Sequence, residues 1–150
     1  MSELVAVEEW VSGLLARLQP TEQRKVLNLV ARDLRRSHQK RVQAQRNPDG
    51  TPFAPRKPKK DFRGKQGRIK GKMFTKLRLA RYMRASASSE GLAVGFSGRV
   101  ARIARVHQYG LKDRPEAGQE PIKYSVRELL GLTTEDLDLV RDALLNHLAQ

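Results

Sequence analysis

Cysteine is absent from this 150-residue chain, which removes disulfides, thiolate metal sites and cysteine nucleophiles in one step. Aromatic residues make up 5% of the sequence, too few for a long row of exposed rings on which bases could stack. No apolar run approaches the length needed to span a bilayer, and the first ten residues carry acids where a secretory signal would carry bases. A soluble protein made in the cytoplasm, with no membrane partner, is therefore expected. Histidines 38, 107 and 147 fall on three different predicted helices, with no acidic partner at metal-ligand spacing. Neither a P-loop nor a GxGxxG is present, and Asp136, Asp138 and Asp142 cannot all face one point from a single helix. The expectation is a non-enzyme without metal or cofactor.

What the chain has is positive charge: 30 Lys and Arg against 16 Asp and Glu, a net charge of +14. This favours an anionic partner, whether nucleic acid or an acidic protein surface. The charge is concentrated between Arg46 and Arg81, where thirteen Lys and Arg face two Asp. The first half of that stretch is rich in Pro and Gly and lacks apolar periodicity, so burial cannot offset the entropy of ordering it. Residues 46–72 are read as a basic, conditionally ordered arm inserted in a single domain spanning 1–150. Extended, about 25 residues reach on the order of 80 Å. The expected docking residues of the arm are Asn47, Pro48, Asp49, Gly50, Phe53, Lys57, Lys59, Lys60, Phe62, Arg63, Lys65, Arg68, Lys70 and Lys72. Phe53 and Phe62 are its candidate anchors, although an aromatic at Phe53 also suits a ring tucked into the body.

The flanking sequence predicts a small α+β fold with long N-terminal helices, a β-hairpin-based antiparallel sheet and a C-terminal helix. Leu4, Val7, Trp10 or Val11, Leu14 and Leu18 recur at helical spacing, giving a first helix over about 2–18. Pro20 interrupts the chain, and Thr21 is the predicted N-cap of a second helix with a stripe of Val26, Leu27, Val30 and Leu34. Beyond Leu34 cations accumulate, and the C-terminal half of this helix is expected to leave the core. Asn47 to Phe53 is dense in turn-forming residues. Met73, Phe74 and Leu77 are spaced for one or two helical turns. Met83, Ala85 and Ala87, then Leu92, Val94 and Phe96, alternate around Ser88-Ser89-Glu90-Gly91 as a hairpin, and Gly95 marks a bulge or a close backbone approach.

Ser97 is the predicted N-cap of a third helix whose inward stripe is Val100, Ile103 and Val106 or His107. Arg99, Arg102 and Arg105 form a ridge on a neighbouring face, a possible contact for phosphate or an acidic neighbour, although a solvated face accounts for them equally. Gly110 is placed to end this helix in the left-handed conformation. At its C-terminus, a favourable dipole contact and a packed Tyr account for His107 without chemistry. Ile122, Tyr124 and Val126 alternate as a short edge segment. Thr133 and Asp136 make a capping box for a last helix with Leu137, Val140, Leu144 and Leu148.

In combination several segments resemble a known family, the virion morphogenesis or tail completion proteins of contractile-tailed, Mu-like bacteriophages. They are Gln45-Arg46-Asn47-Pro48-Asp49-Gly50-Thr51-Pro52-Phe53-Ala54-Pro55 after a basic helix, the Lys/Arg-rich run into Met73-Phe74, His107-Gln108-Tyr109-Gly110, and Arg127-Glu128-Leu129-Leu130-Gly131-Leu132 before the last helix. The resemblance implies a structural protein of the virion that acts at the head-proximal end of the tail, in the neck, during head-tail joining. It also implies a homo-oligomeric ring, a hexamer by analogy with related neck proteins. The implied partners are tail-tube or terminator and head-connector proteins, with DNA nearby in the channel. In that role His107, Tyr109 and Gly110 are structural. The rival reading from charge is a sequence-nonspecific nucleic-acid-binding protein using the same arm.

Overall fold

The computed structural model describes residues 2–56, 59–60, 66–67, 72–88 and 91–149. Helix α1 covers Ser2–Leu15 and α2 covers Pro20–Gln43. Pro20 occupies the first turn of α2, where its missing N–H costs nothing. Gln19 is the N-cap, so Thr21, predicted for that role, lies inside the helix. The Gln23 side-chain amide donates to the Leu15 and Leu18 carbonyls, closing the end of α1 over the start of α2.

Helix α2 is the spine of the fold, because both apolar clusters are built on it. Val26, Val30 and Leu34 pack with Leu144 and with partly buried Trp10, Leu14 and Leu139. Further along, Val42 packs with Phe53, Leu77, Met83, Ala104 and Leu129. The expectation that the C-terminal half leaves the core is corrected here: His38 and Val42 are 4% and 1% exposed. The cations that suggested an exit lie beside this buried stripe, and one of them, Arg41, donates its hydrogen bonds to backbone carbonyls.

Strands β1 (Lys59–Lys60) and β2 (Gln66–Gly67) pair antiparallel with Lys59 opposite Gly67. Strands β3 (Met83–Ser88) and β4 (Gly91–Phe96) form the expected hairpin, in unbroken register from Met83 opposite Phe96 to Ser88 opposite Gly91. Ser89 and Glu90 lie outside the described residues. Gly95 pairs regularly with Arg84 and a Cβ there would meet nothing, so it marks neither a bulge nor a close approach. Before the hairpin, residues 73–82 form successive turns rather than a helix. Phe74 has φ 64°, a left-handed value that breaks helical continuity.

Helix α3 (Val100–Tyr109) starts later than expected. Ser97 does not cap it; Arg99 is the N-cap, in a helical conformation and without a side-chain bond. Its buried residues are Ala104 and Val106, while Ile103, predicted inward, is 47% exposed. Gly110 ends it as foreseen, with φ 63° and ψ 47°. Strand β5 (Lys112–Asp113) pairs antiparallel with β6 (Ile122–Lys123), so the predicted edge segment is two residues long. Helix α4 (Thr134–Leu148) opens with both bonds of the capping box, and the Asp136 carboxylate also accepts from the Ser37 hydroxyl on α2. No helix among the described residues is long and apolar enough to cross a membrane. The fold is a small α+β domain of four helices and short antiparallel strand pairs.

Candidate functional site

The segments that carried the family resemblance are far apart in sequence but meet at one place, where the stretch predicted to be a basic arm joins the rest of the chain. Helix α2 ends at Ala44, and Gln45 turns the chain with φ 59°. The Gln45 side chain then behaves as a strand neighbour for Met73: its Nε2 donates to the Met73 carbonyl at 2.9 Å and its Oε1 accepts from the Met73 N–H at 2.7 Å. The point where the chain returns from the arm is thus fixed to the end of α2.

Residues 47–53 form a compact turn. The Asn47 N–H donates to the Thr51 carbonyl at 2.8 Å, the Gly50 N–H to the Asn47 carbonyl at 2.9 Å, and Gly50 supplies the positive φ of 89°. Asp49 accepts from the Thr51 N–H and hydroxyl, which hold its carboxyl below the usual range. Asn47 Oδ1 also accepts from the Glu128 N–H at 2.9 Å. Pro48 lies against Gly131 so closely that a Cβ on the glycine would stand 2.5 Å from Pro48 Cγ.

Segment 127–131 has little regular secondary structure, so its backbone groups need partners from elsewhere. Arg41 donates to the carbonyls of Glu128 at 2.8 Å and Leu129 at 2.9 Å. Gln108 pairs with both backbone groups of Leu130, at 2.8 and 2.9 Å. The Gly131 N–H donates to His38 Nε2 at 3.3 Å, and His38 Nδ1 donates to the Leu34 carbonyl at 2.6 Å. His38 is therefore neutral with its proton on Nδ1, and burial, its main perturbation, lowers its pKa.

Arg127 joins these parts. It is 5% exposed, and its Nε and Nη2 donate to the Ala54 and Pro55 carbonyls at 2.8 and 3.0 Å. Its Nη1 lies 3.1 Å from His107 Nδ1. A guanidinium can only donate, so His107 Nδ1 accepts and the ring is neutral with its proton on Nε2. Burial first, then the charges of Arg127 and Arg56, push the His107 pKa down to about 4. The ring sits edge-on to Phe74 at 4.7 Å and to Tyr124 at 5.0 Å, and Phe74 in turn meets Phe53 at 5.6 Å. The packed tyrosine beside His107 is thus Tyr124; Tyr109 is 66% exposed. The favourable dipole contact expected of a charged His107 is replaced by a neutral ring whose lone pair Arg127 already uses.

The predicted arm residues divide into two groups. Asn47 and Pro48 are partly buried, Asp49 and Gly50 are exposed at the tip of the turn, and Phe53, expected as a docking anchor, is a core residue 6% exposed. Its ring enters the core because the turn before it returns the chain to α2, with the Phe53 N–H donating to the Gln45 carbonyl at 2.8 Å. Arg56 and exposed Lys72 bound the interval, and the Lys72 carbonyl accepts from Arg56 Nη2 at 3.3 Å. Lys59 and Lys60 lie on β1. Lys57, Phe62, Arg63, Lys65, Arg68 and Lys70 lie outside the described residues. With both ends joined and β1 paired to β2, the excursion can extend only half its contour, about 25 Å, rather than the 80 Å of a free arm.

Arg102 and Arg105 lie exposed on α3 with Arg99 exposed at its N-cap, and Arg102 pairs with Asp113 at 2.7 Å. Sequence reasoning missed Arg127 and Arg41 as organising residues. Their local signal is faint, Arg41 being one cation in a basic run and Arg127 one beside the short apolar run Leu129-Leu130, and their backbone partners lie 72 to 88 positions away. Among the described residues no three His, Asp or Glu side chains stand together where they could hold a metal ion.

A sequence model described as the phage virion morphogenesis family matches residues 2–149. The chain is 40% identical over 149 residues to tail completion protein S of Escherichia phage P2, covering 99% of each chain. No solved structure matches it. A family match over nearly the whole length shows that the chain belongs to the phage virion morphogenesis family.

Proposed function

We propose that this protein completes the phage tail at its head-proximal end and helps join it to the DNA-filled head. It does so as one subunit of a ring of its own copies, a hexamer in the simplest arrangement, between tail-tube or terminator proteins and the head connector. It is made in the host cytoplasm and carried in the virion neck, with DNA in the channel nearby and no membrane involved. The observation that carries this reading is the arm root. Arg127, Gln45, Asn47 and Arg41 direct most of their hydrogen bonds to backbone groups, which suits a rigid mount for a basic projection rather than a reactive centre. His107, the best candidate for acid–base work, has one nitrogen committed to Arg127. The relative in phage P2 is named for tail completion.

The test is a complementation assay with residues 57–71 replaced by a short Gly-Ser bridge between Arg56 and Lys72. The expected result is a folded protein that leaves heads and tails unjoined; normal yields of infectious virions would overturn the arm's role. Electron microscopy of particles carrying the tagged protein tests its place, with density at the neck expected and density elsewhere refuting it.

The net charge of +14 favours nucleic-acid binding as a second reading. It predicts an affinity for duplex DNA that falls by about 0.9 log unit per log unit of salt for each phosphate neutralised. No DNA binding near physiological salt removes it.

A further inference from the structure

The basic charge of this chain has a counterpart within the same molecule. Helices α1 and α4 together carry seven of the sixteen acids, Glu3, Glu8, Glu9, Glu135, Asp136, Asp138 and Asp142, and one of the thirty Lys and Arg, Arg141. Asp136 is buried in the helix cap; of the other six, Glu3 and Asp138 line the space between the two helices, and Glu135, Asp138 and Asp142 line the groove beside it. The excursion from Arg56 to Lys72 has the opposite balance, nine Lys and Arg against Asp61 alone.

The same face is incompletely covered. Among the described side chains of α1 none is fully buried: Leu4, Val7, Trp10, Val11, Leu14 and Leu15 are partly buried, the last four of them against the α2–α4 core. Between α1 and α4 runs a cleft of about 470 Å³, with Val7, Trp10 and Leu137 in its wall and Glu3, Asp138 and Arg141 at its rim. Asp138 also borders a shallower groove toward α2 with Asp33, Glu135 and Asp142. The rim itself has two acids to one base, with Arg141 paired to Asp138 at 3.6 Å, and the acidic excess continues into the neighbouring groove. Apolar wall and acidic border match a basic segment that contains an aromatic residue, and the sequence carries Phe62 between Lys60 and Arg63. Among the described residues, β1 and β2 make their substantial contacts with each other.

We infer that the cleft between α1 and α4 is the docking surface for the basic arm of a second copy of this chain, held by the acidic rim and by apolar contact with Trp10. The contact is heterologous, arm of one copy to helix face of the next, and repeats of such a contact close into a ring or run on as a filament. The inference rests on the proposed ring, and it names the surfaces by which the ring's subunits meet. Its attraction is between opposite charges at an exposed rim, so it weakens with salt.

Sedimentation of the full-length protein, freed of nucleic acid, tests it at low and at high salt. Two neutralised variants are compared: a face variant, Glu3→Gln with Asp138→Asn and Asp142→Asn, and an arm variant, Lys57→Gln with Lys59→Gln and Lys60→Gln. The wild type is expected to self-associate at low salt and to dissociate at high salt. Each variant should associate at least about tenfold more weakly with an unchanged far-UV spectrum. Mixed together, the two should form dimers but no larger species, since each keeps one intact half of the contact. Trp10 is the only tryptophan, so its emission should shift to the blue on wild-type assembly. A wild type that stays monomeric at both salts overturns the inference. Undiminished assembly of either variant also overturns it, and then leaves the ring standing on another interface. Loss of assembly in the arm variant alone means the arm docks elsewhere.

Discussion

Replacing Arg127 with Met keeps the side chain's length and apolar stem while removing every donor. Three acceptors lose their partner: the carbonyls of Ala54 and Pro55 and the Nδ1 of His107. Hydrogen bonds from a charged donor contribute about 1.5 kcal/mol or more each, and stranding a buried acceptor costs on the order of 1 to 3 kcal/mol. Relief of the guanidinium's own desolvation offsets part of this loss. A net destabilisation of about 3 kcal/mol follows, equivalent to a fall of roughly 6–12 °C in Tm for a chain of this size. Urea denaturation and thermal melts monitored by circular dichroism measure it. A second reading comes from NMR titration: without the neighbouring cation, the His107 pKa should rise from about 4 toward its ordinary 6.5, stopping short because burial is its larger cause. Arg127→Lys should fall between wild type and Met, keeping the charge but losing the fork. A loss below about 1 kcal/mol with an unmoved His107 would refute the account of Arg127 as the residue that mounts the arm.

Stability should depend on pH through buried His38 and partly buried His107. Their folded pKa values are lowered, so between those values and 6.5 the unfolded chain binds more protons, and stability is full above 6.5 and declines as pH falls toward about 4. The whole His107 shift corresponds to roughly 3 kcal/mol, and partial solvent access reduces this to on the order of 1.5 kcal/mol; denaturation midpoints at pH 7.5 and 5 measure the fall, and equal midpoints contradict it. Gly131→Ala should cost about 1–3 kcal/mol, because the new methyl would stand 2.5 Å from Pro48 Cγ, and Pro48→Ala in the same chain should restore part of it in the same melts. Thr133→Ala removes the hydroxyl that accepts from the Asp136 N–H at 3.0 Å and should cost about 1 kcal/mol in a urea titration.

The features legible in the sequence were those decided within a few residues. Thr133 and Asp136 bond across three positions, Gly110 needs only its own φ, and the β3–β4 register follows from alternation around a short turn. The misreadings concern groups whose partners are remote. Charge around Arg35 to Arg41 looked like solvent exposure, yet Gln39 donates to the Arg78 carbonyl and Arg41 to Glu128 and Leu129, contacts spanning 39 to 88 positions. No local pattern distinguishes an arginine in water from one bonded to a distant carbonyl. Ser97 failed as a cap because capping chemistry alone does not place a helix start: the chain begins α3 two residues beyond Gly98, and the Ser97 hydroxyl instead faces the Arg81 carbonyl at 3.4 Å. Phe53 was poised between two readings, and only the path of the turn decides for the core.

The clasp that Gln45 forms with Met73, together with the Arg56 contact to the Lys72 carbonyl, makes the body indifferent to the length of what lies between. Closing a longer loop across ends already held together adds little, about 0.6 kcal/mol for each doubling of its length. The insert can therefore be lengthened, shortened or replaced while the helices and the hairpin keep their packing. A protein built this way can change the surface it grips without redesigning the part that folds.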